Sequence, residues 1–314
     1  MPLPQLSDAT FITDGGMETT LIFHRRLDLP HFASFVLLDD EEGLRALREY
    51  FLPYVEIARE AGVGIVLDTP TWRASADWGE RLGYSAERLA DVNRRGVRLL
   101  EQLGEEAAGR PRIVICGCVG PRGDGYQVGE TMSPDEAERY HSAQVETFAG
   151  TAADPVSALT MTYAEEATGI VRAARAAGIP AVASFTVETD GRLPSGQPLA
   201  EAIAQVDEET EGAAAYFMVN CAHPTHFEQV LEPGSAPLER IRGLRANAST
   251  MSHAELDEAE ELDEGDPVDL ARRYRELRRQ LPRLNVVGGC CGTDHRHTRE
   301  ICRVWSAEVT RSVG

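Results

Sequence analysis

The segment AEEATGIVRAARAAGIPAVASFT, residues 164–186, contains one complete passage from helix to strand. Ala164–Ala177 carries apolar residues at helical spacing. The run Ala177-Gly178-Ile179-Pro180 then reads as a glycine-terminated helix, because glycine takes the left-handed turn that closes a last helical turn without a Cβ clash. Ile179–Thr186 follows as a short apolar run of strand length. The same alternation recurs along the chain. Strands are expected near Phe11–Asp14, Val63–Asp68, Arg112–Gly117, Pro155–Met161, Ile179–Thr186, Ala213–Asn220, Arg240–Asn247 and Leu284–Gly289. Between and after them lie amphipathic segments at Glu41–Ala61, Ala86–Leu103, Pro134–Ala152, Ala164–Ala177, Leu199–Thr210, Thr225–Leu231, Val268–Leu281 and Thr293–Thr310. Ser133-Pro134 supplies a helix start, a capping serine before a proline whose missing N–H costs nothing in the first turn. Strand–helix units repeated in this way predict an α/β protein, a (β/α)8 TIM barrel forming one domain over residues 1–314. A doubly wound open sheet has the same alternation, and periodicity alone does not distinguish closure.

Composition narrows the function classes. The 314 residues are 42% hydrophobic, enough for a substantial core, and carry a formal net charge of -20. Such a surface repels phosphate backbones, so nucleic acid is not an expected partner. Met1–Thr10 has neither a basic start nor an apolar core and does not read as a signal peptide. No apolar run approaches the length that spans a bilayer, so no membrane partner is expected either. The six cysteines are few and sit in apolar, glycine-flanked segments, unlike a secreted disulfide framework. A cytoplasmic location follows as the expectation.

In a barrel, function gathers where strands end, at the C-terminal face. The first strand ends in Asp14-Gly15-Gly16, the second in Asp68-Thr69-Pro70 and the third in Cys116-Gly117-Cys118. The sixth ends in Asn220-Cys221, the seventh in Asn247 and the eighth in Gly288-Gly289-Cys290-Cys291. Cys221, Cys290 and Cys291 thus converge on one rim. Zinc favours thiolates, and a catalytic zinc keeps one position open beside three protein ligands. Adjacent glycines let neighbouring cysteines turn toward one ion. A strained vicinal disulfide and plain packing of small apolar side chains are the competing readings of the pair. Cys116 and Cys118 share one side of their strand and form a rival group, while Cys302 falls in the last helix as a core residue. His223, His295 and His297 are read as surface or helix-start residues, and acidic Glu255–Asp266 as a solvated loop with a short helix.

The motifs Asp14-Gly15-Gly16-Met17-Glu18-Thr19, Val219-Asn220-Cys221 and Gly288-Gly289-Cys290-Cys291-Gly292-Thr293 resemble the homocysteine S-methyltransferase family. The similarity runs in order along nearly the whole chain and includes Thr69–Ser75 and Ser184-Phe185. The resemblance implies a (β/α)8 barrel in which Cys221, Cys290 and Cys291 hold Zn2+ and a substrate thiol is the fourth ligand. It also implies a zinc-dependent S-methyltransferase, acting with a small thiol such as homocysteine and a small-molecule methyl donor. Coordination explains the chemistry: a free thiol is mostly protonated at neutral pH, whereas a metal-bound one is a thiolate. By the same resemblance Asp14 holds the acceptor's amino group, with Gly15 and Gly16 approaching closely, and Asn220 and Asn247 support the site. Asp68 and Thr69 complete the substrate-binding set. Trp72, Trp78 and Tyr126 lie in rim loops and suit a cationic donor through cation–π attraction.

One residue departs from the pattern. Family members that use homocysteine carry a glutamate at the end of the fourth strand, and here that position is Leu159. Leucine cannot supply a charged hydrogen bond. Either Asp14 alone binds the amino group or the thiol is not homocysteine. The departure also keeps two other functions in view, a noncatalytic zinc- or thiol-binding barrel and a demethylase with a different thiol acceptor.

Overall fold

A computed structural model describes residues 3–107, 109 and 111–312; residues 1, 2, 108, 110, 313 and 314 of the expected single domain lie outside the described residues. Its strands are β1 (Phe11–Thr13), β2 (Gly64–Asp68), β3 (Ile113–Val119), β4 (Val156–Met161), β5 (Ala181–Phe185), β6 (Ala214–Asn220), β7 (Ile241–Ala246) and β8 (Val286–Gly289). Each is followed by a helix: α1 (Glu41–Ala61), α2 (Ala86–Glu106), α3 (Pro134–Ala149), α4 (Ala164–Ala177), α5 (Leu199–Thr210), α6 (Pro224–Phe227), α7 (Pro267–Leu277) and α8 (His295–Ser312). All strand pairs are parallel, and β1 pairs with both β2 and β8, so the sheet closes into a barrel. The open doubly wound layout is thereby excluded.

Local chemistry accounts for the element ends. Ser133 accepts from the backbone N–H of Glu136 while Glu136 reaches back to Ser133, a capping box that starts α3 with Pro134 in its first turn. Gly178 ends α4 at φ 75°, the left-handed conformation expected of it. Two stretches differ from the sequence reading. The helix expected at Thr225–Leu231 is only the one-turn α6 followed by a 3-10 turn at Glu228–Val230. Between β1 and α1, residues 17–39 form short helical turns that no periodicity announces.

Inside the barrel, Phe11, Val66, Val114, Cys116, Val182, Tyr216, Met218 and Val286 fill the lower layers, and a larger apolar core lies between strands and helices. Filling the bore in this way leaves its C-terminal mouth as the place for a cavity. Among the described residues no helix is long and apolar enough to cross a membrane.

Candidate metal and thiol site

The three rim cysteines do meet. Cys221 follows β6 and Cys290 and Cys291 follow β8, and their sulfur atoms all lie within 4.8 Å of one another. Each is pinned through its neighbours' backbone: Cys221 N donates to Arg245 O, Cys290 N to Ala246 O, and Ala248 N to Cys291 O. Cys221 holds φ at 54°, a left-handed conformation uncommon for a residue with a Cβ. Its carbonyl accepts from the His253 ring at 2.8 Å and from Thr186 at 3.2 Å, which keeps this turn in place and aims the sulfur at β8.

The Cys221–Cys290 and Cys221–Cys291 sulfur separations are 2.7 and 3.8 Å, and all six cysteines are free. A vicinal disulfide between Cys290 and Cys291 is therefore absent. A tetrahedral ion with metal–sulfur bonds of about 2.3 Å has edges of about 3.8 Å. The Cys221–Cys291 pair has that edge, and Cys290 stands about 1 Å inside it. Three soft donors on one side of a cavity fit zinc and leave a fourth direction open. Hydrogen bonds from Cys221 and Cys291, with Arg245 nearby, hold the Cys290 thiol well below its ordinary value. Cys221 is pushed up by the same bond to Cys290, by its link to Cys291 and by burial.

Around the sulfurs lies a cavity of about 510 Å³. Asp14, Gly15, Gly16, Asp68, Thr69, Trp72, Tyr126, Asn220 and Asn247, all singled out from the sequence, line it. Their roles differ in detail. Gly15 and Gly16 make room for the β8 loop: a Cβ on Gly16 would stand 2.6 Å from Cys290 O and one on Gly15 2.7 Å from Thr293 O. Asn220 clamps β4. Its Oδ1 accepts from Thr160 N at 2.9 Å and from Ser184 Oγ, while its Nδ2 donates to Thr160 Oγ1 at 2.8 Å. That clamp holds Thr160 at φ 64°, costly for a β-branched residue, where the β4–β5 register shifts. Thr69 shares a hydroxyl hydrogen bond with Thr71 and accepts from Cys118 N, so its hydroxyl braces the wall. Asn247 Oδ1 is buried without a partner among the described residues.

Tyr126 donates to Cys291 Sγ at 3.5 Å and stacks on the His253 ring at 4.1 Å. Trp72 and Trp78 line the cavity, but Arg73 lies over both rings at 4.1 and 3.9 Å, so each already has a cation on one face. Cys118 reaches the cavity wall, whereas Cys116 packs below it in the bore; burial pushes both thiols up, and neither joins the sulfur group. His223 is engaged with Thr225, and His297 with Asp294 and Glu264 O. The acidic stretch at 255–266 is more than a solvated loop, since Leu256, Asp257, Glu261 and Asp263 line the cavity.

Sequence reasoning missed Arg245. This β7 side chain is 5% exposed and crosses the cavity floor. Its Nη2 donates to Asp14 Oδ1 at 2.6 Å, its Nη1 to Asp68 Oδ2, and its Nε to Gly289 O at 3.1 Å. The other carboxylate oxygens are taken as well: Tyr50 donates to Asp14 Oδ2 at 2.9 Å and Ser157 to Asp68 Oδ1. Burial pushes Asp14 up to about 7, against the pull of Arg245. Breaking one arm of such a buried pair strands a charge, which costs about 3–5 kcal/mol.

Residues 11–305 match the family model described as homocysteine S-methyltransferase. No curated protein matches the sequence. Among solved structures, the homocysteine methyltransferase MmuM from Escherichia coli in its oxidised form is similar with a TM-score of 0.71 at 18% identity, over 94% of this chain and 95% of that one. Its metallated form matches with a TM-score of 0.71 at 18% identity, over 95% and 96% of the two chains. At that identity the likeness speaks for the barrel fold.

Proposed function

The chain belongs to the homocysteine S-methyltransferase family, and on that premise we propose that it is a zinc-dependent enzyme that methylates a small thiol of the homocysteine type. The observation that carries this reading is the meeting of Cys221, Cys290 and Cys291 on one wall of a cavity large enough for two small molecules. Cys221, Cys290 and Cys291 hold the ion, which when bound acts as a Lewis acid that makes a coordinated thiol a thiolate. The chain's own groups do the rest. Tyr126 directs its hydroxyl at Cys291, and Asn220 fixes the β4 wall. The rigid rim aligns thiol and donor, and alignment alone supplies much of the advantage in a displacement between two bound molecules.

For the donor, an onium compound is favoured. Asp124 comes from the loop after β3, and Asp257, Glu261 and Asp263 come from the loop after β7; all four line the cavity. Carboxylates on two facing loops attract a cation. The transfer then forms a sulfur–methyl bond and breaks the methyl–donor bond, whose electron pair stays on the departing neutral donor. Residues 1–314 are proposed as one domain, supported by a single barrel with one continuous outer core.

The test is metal analysis with a panel of thiols and methyl donors, read by mass detection of the methylated product. The wild-type protein should hold about one zinc per chain, and Cys290→Ser should lose most of both zinc and transfer. Full zinc with full transfer in Cys290→Ser would overturn the assignment.

A further inference from the structure

We propose that Glu18 binds the ammonium group of the acceptor thiol. This inference rests on the zinc–thiol reading above and deepens it: the acceptor is an amino-bearing thiol, and Glu18 is the residue that selects it.

Glu18 reaches the site from the short turn after β1. That turn, Met17–Thr19, starts at Gly16, whose backbone lies against the Cys290 carbonyl. Thr19 Oγ1 donates to Gly16 O at 3.1 Å and accepts from Gly292 N at 3.2 Å, so the turn is tied to the loop that carries Cys290 and Cys291. A carboxylate on this turn keeps a fixed relation to the sulfurs. The Glu18 side chain lines the cavity, near enough to Cys290 and Arg245 for their charges to act on it. Ser34, a buried residue, donates its hydroxyl to Glu18 Oε1 at 2.7 Å and orients the carboxylate. Among the described residues no side chain donates to Oε2, and none forms an ion pair with Glu18.

The neighbouring acids are engaged. Asp14 and Asp68 share the guanidinium of Arg245, and their other oxygens accept from Tyr50 and Ser157. On β4, Leu159 presents no carboxylate, and Asn220 Oδ1 is filled by Thr160 and Ser184. Asp124, Asp257, Glu261 and Asp263 stand on the covering loops. Glu18 is thus the carboxylate on the cysteine side of the cavity with an oxygen to spare. Burial pushes its carboxyl above the ordinary value against the bond from Ser34, and Cys290 pushes the same way. An ammonium beside it offsets that cost, and the resulting charge-assisted hydrogen bond is stronger in a cavity shielded from bulk water. With its sulfur on the metal and its ammonium on Glu18, a short amino thiol is held at both ends, which fixes the direction of the sulfur for displacement.

The matched pair L-homocysteine and 4-mercaptobutanoate differs only by the amino group. Binding of each to the zinc-loaded wild-type protein and to zinc-loaded Glu18→Gln is measured by calorimetry, and methylation with the best donor of the panel by mass. Wild type should bind homocysteine at least about tenfold more tightly than 4-mercaptobutanoate. Glu18→Gln keeps the shape and loses the charge, and should bring the two thiols to within about threefold of each other. The loss for homocysteine should fall on KM more than on kcat. Zinc content and binding of 4-mercaptobutanoate report separately on the variant's fold and metal site. Equal binding of the two thiols by the wild-type protein would overturn the inference with no variant needed, and so would a Glu18→Gln protein that keeps the wild-type ratio; both results leave the zinc–thiol reading intact. Binding of neither thiol by the zinc-loaded wild type would overturn that reading and this inference with it.

Discussion

Gly16 and Cys290 touch across the seam where the barrel closes, and that contact explains a motif that reads at first as a substrate loop. The backbone of Gly16 is unremarkable, with φ at -78°, but any Cβ there would press on Thr19 and on the Cys290 carbonyl. Gly16→Ala therefore moves a proposed metal ligand without altering one. Displacing a ligand's support typically weakens metal binding by about 10–100-fold. Zinc affinity of Gly16→Ala, read by competition with a chromophoric chelator, should fall by at least about tenfold; an unchanged affinity would remove this role. At this scale the sequence was partly legible. Cysteines flanked by glycines announce metal chemistry by residue type. Arg245 announces nothing, since arginines at 242 and 245 both fit a strand end, and its partners Asp14 and Asp68 lie 231 and 177 residues away. Thr160 and Cys221 are equally silent, because their left-handed backbones come from tertiary clamps rather than from their own preferences.

Element ends are legible in the sequence where local chemistry fixes them, as at Ser133 and Gly178. The turns at 17–39 escaped because they bury side chains against α1 without a regular period. The helix after the cysteine loop shows what a single cap contributes. Asp294 accepts from Arg296 N at 2.9 Å at the start of α8 and is ion-paired with Arg296 and His297. Burial would raise this carboxyl, but the bonds from His297 and Arg296 outweigh it and hold it below the ordinary carboxylate range. A depressed carboxyl stabilises the fold above its unfolded pKa, near 4, and that stability is lost as pH falls through the folded value. Asp294→Asn, which keeps a capping oxygen but removes the charge, should thus lower stability by about 1 kcal/mol at pH 7 and flatten the acid limb of the unfolding profile below pH 4. Equilibrium denaturation across pH checks both, and an acid limb identical to wild type would contradict the assignment.

The whole barrel performs the assembly that no single segment carries. Strands β1, β2, β6, β7 and β8 end on one face, so residues from both ends of the chain meet around one cavity. Alternating strands and helices made the fold class readable, whereas closure depends on β1 pairing with β8, a register that no local pattern encodes. A surface of net charge -20 surrounds a floor in which Arg245 is paired with both Asp14 and Asp68. The rim keeps its acidic groups. The three cysteines are proposed to hold zinc with a place left for a substrate thiol. X-ray absorption at the zinc edge counts the sulfur neighbours directly. Three sulfurs at about 2.3 Å are expected in the zinc protein, rising to four when an accepted thiol is added. A sulfur count that stays the same on adding thiol, or a zinc shell made mainly of nitrogen and oxygen, would contradict it.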